Sequence, residues 1–123
     1  RINGERLDHH AIEAAEQSER LSVPEIAELQ PLIQKLDGWP QDRLLLYGDE
    51  TGGGAVLKEA LPPLAGKKLA LLVGPEGGFA PEELAMLRAL PYAKAISLGP
   101  RILRADTAAL AGLATIMALA GDW

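Results

Sequence analysis

The chain has 123 residues, of which 48% are hydrophobic and 24% charged, a composition typical of one globular domain with a single core. It contains no cysteine, which excludes disulfides, thiolate catalysis and cysteine metal sites, and its adjacent histidines, His9 and His10, do not make a zinc site by themselves. We therefore expect no metal. The strongly apolar stretch 107–120 is too short to cross a bilayer, and no secretory leader is recognisable at the start.

Charge is unevenly distributed along the chain. The net charge of −5 argues against a nonspecific nucleic-acid binder, and residues 1–30 hold seven acids against three arginines. Residues 84–104 carry four bases and no acid: Arg88, Lys94, Arg101 and Arg104. This basic segment favours a local contact with a polyanion, although chance clustering on a solvated surface explains the counts equally well.

Two helices are predicted in the first forty residues. Apolar positions at helical spacing indicate a helix that Asp8 caps and that continues to about Arg20. A second, shorter helix is expected to begin at Pro31 and to end at Gly38.

Strands and helices then alternate. The predicted strands are 43–48, 68–73 and 93–98, and the predicted helices are 55–61, 81–90 and 107–119, the last with Leu110, Leu113, Ala114 and Met117 on its buried side. This alternation predicts an α/β fold with a mostly parallel sheet and helices on both faces. In such sheets a ligand binds beyond the carboxyl ends of the strands.

Two strand ends have unusual sequences: Gly-Pro-Glu-Gly-Gly at 74–78 and Gly-Pro-Arg-Ile-Leu-Arg at 99–104. Neither matches the phosphate-loop, dinucleotide or nucleophile-elbow spacing. Their glycines leave backbone amides and carbonyls bare, which suits recognition of an adenine edge. Leu72, Leu98, Ile102 and Leu103 would supply apolar walls, so a small-molecule pocket is predicted. Two tight turns without a ligand are the alternative.

Three segments carry a family resemblance: EAAEQSERLSVPEI at 13–26, LLVGPEGGFAPEE at 71–83 and ISLGPRILRADTAAL at 96–110. Their order, spacing and residue identities resemble those of the RsmE family of bacterial 16S rRNA (uracil(1498)-N3)-methyltransferases, within the SPOUT superfamily. The resemblance covers nearly the whole chain. It implies a deep C-terminal trefoil knot, which no periodicity pattern predicts because knotted chains are rare.

The resemblance also implies an S-adenosyl-L-methionine-dependent methyl transfer to N3 of a uridine in the 30S ribosomal subunit, in the cytoplasm, by a homodimer. The cofactor-binding residues it implies are Leu72, Gly74, Glu76, Gly77, Gly78, Leu98, Gly99, Ile102, Leu103 and Thr107. Thr107 is also expected to cap the last helix through its hydroxyl.

Catalytic roles are expected for three side chains in these turns. Arg104 and Arg101 are candidates to stabilise the anion that develops on the uracil, although Arg101 could equally hold a phosphate or Asp106. Glu76 could orient the cofactor, cap the turn amides or act as a base, with the first two favoured. Gln17 and Arg20 are candidate RNA or dimer contacts, with a solvated surface as the alternative.

The sequence departs from the family pattern at its start. Family members carry an N-terminal PUA-like RNA-binding domain, and their methyltransferase domain opens with a further strand and helix; neither is recognisable here. Two rival hypotheses remain: a related enzyme acting on tRNA or another RNA, and a non-catalytic fragment that binds nucleotide or RNA or dimerises.

Overall fold

The computed structural model describes residues 3–51, 53–99 and 103–123, which form two compact units, Arg1–Gly38 and Trp39–Trp123. The first unit contains helices α1 (Gly4–Gln17) and α2 (Leu32–Leu36). The predicted cap at Asp8 is wrong, because Asn3 occupies that position and its side chain accepts the Arg6 N–H at 3.1 Å. The second predicted helix is confirmed, and Gly38 follows it with a left-handed φ of 74°.

The second unit is a four-stranded parallel sheet with helices. Its elements in chain order are β1 (Arg43–Gly48), β2 (Ala55–Val56), α3 (Leu57–Ala60), a 3₁₀ turn (Pro62–Leu64), β3 (Lys68–Leu72), α4 (Pro81–Ala89), β4 (Ala93–Ser97) and α5 (Ala105–Ala120). The strand order is β2-β4-β1-β3, and all three pairings are parallel. The predicted parallel α/β sheet is confirmed.

Strand β1 lies at the centre of this unit. Leu45, Leu46 and Tyr47 are all buried, and because successive side chains point to opposite faces, both faces of β1 are covered. Leu46 belongs to a buried cluster that joins the sheet to α3, the 3₁₀ turn and α5; its other members are Leu57, Leu61, Leu64, Ile96, Ile116 and Ala120.

The segment predicted as a helix over 55–61 is shorter than expected. Ala55 and Val56 instead form β2, which pairs with Ile96 and Ser97 of β4. Gly54 makes this pairing possible, because a Cβ there would lie 2.3 Å from the Ile96 carbonyl carbon. A close backbone approach of this kind admits only glycine.

Helix α5 buries a different face from the predicted one. Its buried residues are Ala108, Gly112, Ile116 and Ala120, four apart along one stripe. Leu110 and Leu113, predicted inward, are 73% and 52% exposed. The helix also begins earlier than predicted, at Ala105 with Arg104 in the capping position, so Thr107 does not cap it. Three of the four buried residues are small, and at Gly112 α5 packs closely on β3: a Cβ there would lie 2.8 Å from Leu71 Cδ2.

The amino edge of the sheet is closed by side chains. Trp39 and Tyr92, which precede β1 and β4, stack with ring centroids 5.8 Å apart, and the Trp39 indole N–H donates to the Arg43 carbonyl at 2.8 Å. The Arg43 guanidinium donates to the Leu69 carbonyl of β3 at 3.0 Å. These contacts tie three strands together at one end.

No helix within the described ranges is long and apolar enough to cross a membrane.

Candidate cofactor site

The opposite, carboxyl edge of the sheet contains a cavity of about 480 Å³. Parallel strands place their carboxyl ends side by side, and the ends of β1, β3 and β4 meet here. The start of α5 forms a further wall. The lining residues are Gly48, Asp49, Glu50, Val56, Leu71, Val73, Gly74, Pro75, Ile96, Ser97, Leu98, Gly99, Leu103, Ala105 and Ala108.

Four of the residues predicted to bind a cofactor line this cavity: Gly74, Leu98, Gly99 and Leu103. The two glycine-containing strand ends, separate in sequence, thus lie at one site. The other described candidates, Leu72, Glu76, Gly77, Gly78 and Thr107, are not among the lining residues. Ile102 and Arg101 lie outside the described residues.

The turn after β4 has a backbone geometry that favours glycine. Gly99 has φ of 103°, in the left-handed region, and a Cβ there would meet no atom within 4 Å. Its N–H donates to the Ser97 hydroxyl oxygen at 3.3 Å, which in turn donates to the Gly99 carbonyl at 3.4 Å. Gly99 therefore presents bare backbone next to open space.

The turn after β3 is formed by main chain. The Gly78 N–H donates to the Pro75 carbonyl at 2.8 Å, and Gly78 has φ of 78°. Among the described residues, no hydrogen bond joins the exposed Glu76 carboxylate to this turn. The expected capping by Glu76 is thus not observed. Gly74 lies against Phe79, where a Cβ would be 3.2 Å from the ring.

The end of β1 is held by a side-chain network that the sequence did not reveal. Asp49, only 5% exposed, accepts hydrogen bonds from the Thr51 N–H at 2.9 Å, from the Thr51 hydroxyl, and from Arg88 Nη2 of α4 at 3.0 Å. The Arg88 guanidinium also donates to Thr51 Oγ1 at 3.0 Å. In the sequence, residues 49–54 resemble a loose glycine-rich loop. Their position directly after a buried strand is the one feature that could have indicated this network.

These contacts shift two pKa values. Hydrogen bonds from the Thr51 side chain first, and from Arg88, hold the pKa of Asp49 below its ordinary value, although burial opposes them. Burial, and then the charge of Asp49, raise the pKa of Tyr47. Asp49 is therefore an ionised carboxylate at neutral pH, with its charge balanced by Arg88.

Arg104 is the N-cap residue of α5, and its neighbours in sequence, Leu103 and Ala105, both line the cavity. Its side chain is 79% exposed and lies 3.8 Å from the carboxylate of Asp106, a solvent-screened ion pair. The Arg104 guanidinium is thus accessible from solvent. In the described ranges no group of three or more metal-ligating side chains is found.

Gln17 and Arg20 belong to the first unit. Gln17 is the last residue of α1, and the Arg20 N–H closes the helix end by donating to the Ala15 carbonyl at 2.9 Å. Both side chains are exposed and so accessible to a partner.

The comparisons with known proteins agree with the sequence resemblance. The model of the RNA methyltransferase domain family matches residues 1–117. A ribosomal RNA small subunit methyltransferase E from Rickettsia conorii is 38% identical over 96% of this chain and 48% of its own length. The protein of that name from Synechocystis is also 38% identical, over 94% of this chain and 38% of its own length. The chain thus spans about half or less of these relatives.

Solved structures give the same picture. A ribosomal RNA small subunit methyltransferase E from Neisseria gonorrhoeae, bound to S-adenosyl methionine, matches 98% of this chain and 49% of its own with a TM-score of 0.86 at 31% identity. A probable rRNA-methyltransferase from Porphyromonas gingivalis matches with a TM-score of 0.77 at 34% identity, over 99% of this chain and 51% of its own. The motifs, the fold and the family model agree, and the chain belongs to the RNA methyltransferase domain family of RsmE type.

Proposed function

We propose that this chain transfers a methyl group from S-adenosyl-L-methionine to N3 of a uridine, position 1498, in 16S rRNA of the 30S subunit. The observation that carries the proposal is the cavity where the ends of β1, β3 and β4 meet, lined by the two glycine-containing turns. Relatives named for rRNA methylation and the Neisseria structure with its bound cofactor support it. A ribosomal substrate would place the protein in the cytoplasm.

The cavity suits the cofactor in size and chemistry. A volume of about 480 Å³ is within the usual range for small-molecule sites. Leu71, Leu98 and Leu103 offer apolar contact to an adenine ring, and the backbone at Gly74 and Gly99, which carries no side chain, allows the polar edge of that ring to approach closely. The Gly99 N–H already donates to Ser97 Oγ, so the Gly99 carbonyl, with its second lone pair, is the polar group available there. Leu72, Gly77, Gly78, Ile102 and Thr107 would then support this binding from the adjoining turns and from α5.

The chemistry needs few protein groups. When bound, the cofactor supplies a methyl group already activated on a sulfonium, so neither a metal nor a nucleophilic side chain is required. With the cofactor bound, N3 of the uracil would accept the methyl group as the carbon–sulfur bond breaks with its electron pair left on sulfur, and the N3 proton would pass to solvent water. In our proposal Arg104 stabilises the negative charge on the uracil oxygens during this loss. Arg101 would assist it or hold a phosphate, and Glu76 would orient the cofactor.

We also propose that the chain forms a C-terminal trefoil knot and that helices cover both sheet faces. The knot rests on the family resemblance, and two features of the fold are compatible with it. The turns after β3 and β4 line one cavity, and the sheet order β2-β4-β1-β3 differs from the chain order. A crystal structure with the cofactor bound, traced through residues 98–105, tests the threading; an unthreaded chain would contradict it.

A homodimer is part of the proposal. Leu110 and Leu113 expose large apolar side chains on α5, outside the stripe that packs on β3. Burying them against a second copy would remove this surface from water. A Leu110→Asp variant is expected to be monomeric by light scattering, and Ala85→Asp, on an exposed position of α4, to leave the mass unchanged. A wild-type monomer would contradict the dimer.

The RNA substrate is expected to contact exposed polar groups, with Gln17, Arg20 and Arg101 as the candidates. Nucleoside analysis of purified 30S subunits after incubation with the protein and the cofactor tests the activity. We expect 3-methyluridine, and a strong decrease with Arg104→Met. Formation of a different methylated nucleoside would indicate another RNA site, and binding of cofactor without methylation of any RNA would indicate a non-catalytic module.

A further inference from the structure

Glu50 is placed by the fold at the rim of the cavity. It lies among the lining residues, directly after Asp49 at the end of β1. A Cβ on Gly78 would be 3.5 Å from Glu50 Oε2. The Glu50 carboxylate therefore reaches from the end of β1 to the glycine turn that follows β3.

The backbone on each side of Glu50 is held in place. The Asp49 N–H donates to the Ile96 carbonyl at 3.1 Å, and the Asp49 carboxylate accepts the Thr51 N–H at 2.9 Å. Arg88, from a different element, fixes the same carboxylate at 3.0 Å. Glu50 is the middle residue of this hydrogen-bonded turn, so the turn fixes the position of the Glu50 backbone at the rim.

Glu50 gives the rim a negative charge that no described residue balances. Two acids, Asp49 and Glu50, line the cavity, and no lysine or arginine is among its described lining residues. Asp49 is paired with Arg88, whereas Glu50 forms no ion pair with any residue in the described part of the chain. An unpaired carboxylate beside apolar walls favours a ligand that brings a positive charge.

We propose that Glu50 recognises the positive charge of the methyl donor and so favours the donor over uncharged adenosine compounds. This inference rests on the proposed function. S-Adenosyl-L-methionine carries a sulfonium and an ammonium; its product S-adenosylhomocysteine keeps only the ammonium, and 5′-methylthioadenosine has neither. Glu50 is thus a specificity-determining residue that the sequence motifs did not indicate.

Calorimetric titration of the purified protein with these three compounds tests the proposal. Glu50→Gln keeps the size of the side chain and removes its charge; Glu59→Gln, an exposed acid on α3 away from the cavity lining, is the matched control. We expect Glu50→Gln to weaken binding of the donor by about twofold to fivefold, as for a charge pair that involves an exposed side chain. Binding of 5′-methylthioadenosine should be unchanged, and the effect on the donor should shrink as salt is added.

Binding of the product, S-adenosylhomocysteine, shows which positive group of the donor Glu50 contacts. A loss for the product equal to that for the donor places Glu50 at the ammonium, and a loss for the donor alone places it at the sulfonium. An equal loss for 5′-methylthioadenosine would overturn the proposal, because Glu50 would then contact the ribose hydroxyls. So would no loss for any compound. A wild-type protein that binds none of the three would instead remove the proposed function itself.

Discussion

The two edges of the sheet are built differently. At the amino edge, Trp39, Tyr92 and Arg43 close the strands together with stacked rings and side-chain hydrogen bonds. At the carboxyl edge, the turns after β3 and β4 are main chain with few side chains, around a cavity. The two edges therefore have different roles. Side chains at the amino edge stabilise the sheet, and the turns at the carboxyl edge leave main chain accessible to a ligand.

The largest expected effect is on binding at the carboxyl edge. Gly99→Val would place a branched side chain in the open space beside Gly99, and we expect at least about a hundredfold loss of S-adenosyl-L-methionine affinity by calorimetry. The left-handed φ also strains valine, by about 1–2 kcal/mol. Gly66→Val is the control, because Gly66 has φ of 82° with nothing within 4 Å and lies outside the cavity lining.

Both variants should lose similar stability, and only Gly99→Val should lose binding. Equal affinity in a folded Gly99→Val protein would contradict the placement of the site.

The next effect is on stability at the amino edge. Trp39→Ala removes the ring stacked on Tyr92 and the hydrogen bond to the Arg43 carbonyl. We expect the free energy of unfolding in urea to fall by about 2–3 kcal/mol, since Trp39 is only partly buried. Trp39→Phe keeps an aromatic ring and should lose about 1 kcal/mol. If either folded variant bound the cofactor more weakly, the proposal that the amino edge serves stability and the carboxyl edge serves binding would be wrong.

The smallest effect concerns the network at the end of β1. The folded pKa of Asp49 lies below its ordinary value of 3.8, so its ionised form stabilises the fold at neutral pH. That contribution is fully present above the unfolded pKa and is lost as the pH falls through the lower, folded pKa. Asp49→Asn should therefore lower stability at pH 7 by about 1 kcal/mol, because Arg88 is half exposed.

The pH profile of unfolding checks this sign. Below about pH 4 the wild type and Asp49→Asn should converge in stability. Asp42→Asn, which removes an exposed carboxylate paired with Lys68 at the amino edge, is a suitable comparison and should change the profile less. A constant difference between wild type and Asp49→Asn down to pH 2 would show that Asp49 acts through shape and not through charge.

Much of this unit could be predicted from residue patterns. The three longer strands have apolar runs that end in glycine, and parallel pairing then brings Gly74 and Gly99 to one edge. The two-residue strand β2 was missed because Ala55–Val56 is too short to show a period. Its pairing depends on the contact of Gly54 with β4, which no local pattern reveals.

Other features depend on tertiary contacts. Asp49 and Arg88 are 39 residues apart, and only the packing of α4 makes them partners. Helix α5 is apolar on most sides, so hydropathy could not distinguish its stripe on β3 from the exposed Leu110 and Leu113. The roles of Arg101 and Arg104 rest on the family resemblance.

The most direct test of the central claim is an NMR titration of ¹⁵N-labelled protein with S-adenosyl-L-methionine. We predict that the backbone amide signals of Gly74 and Gly99 shift on binding, whereas the Trp39 indole and Gly66 amide signals at the other end of the unit do not. Shifts confined to the amino edge, or no shifts at saturating cofactor, would contradict the account.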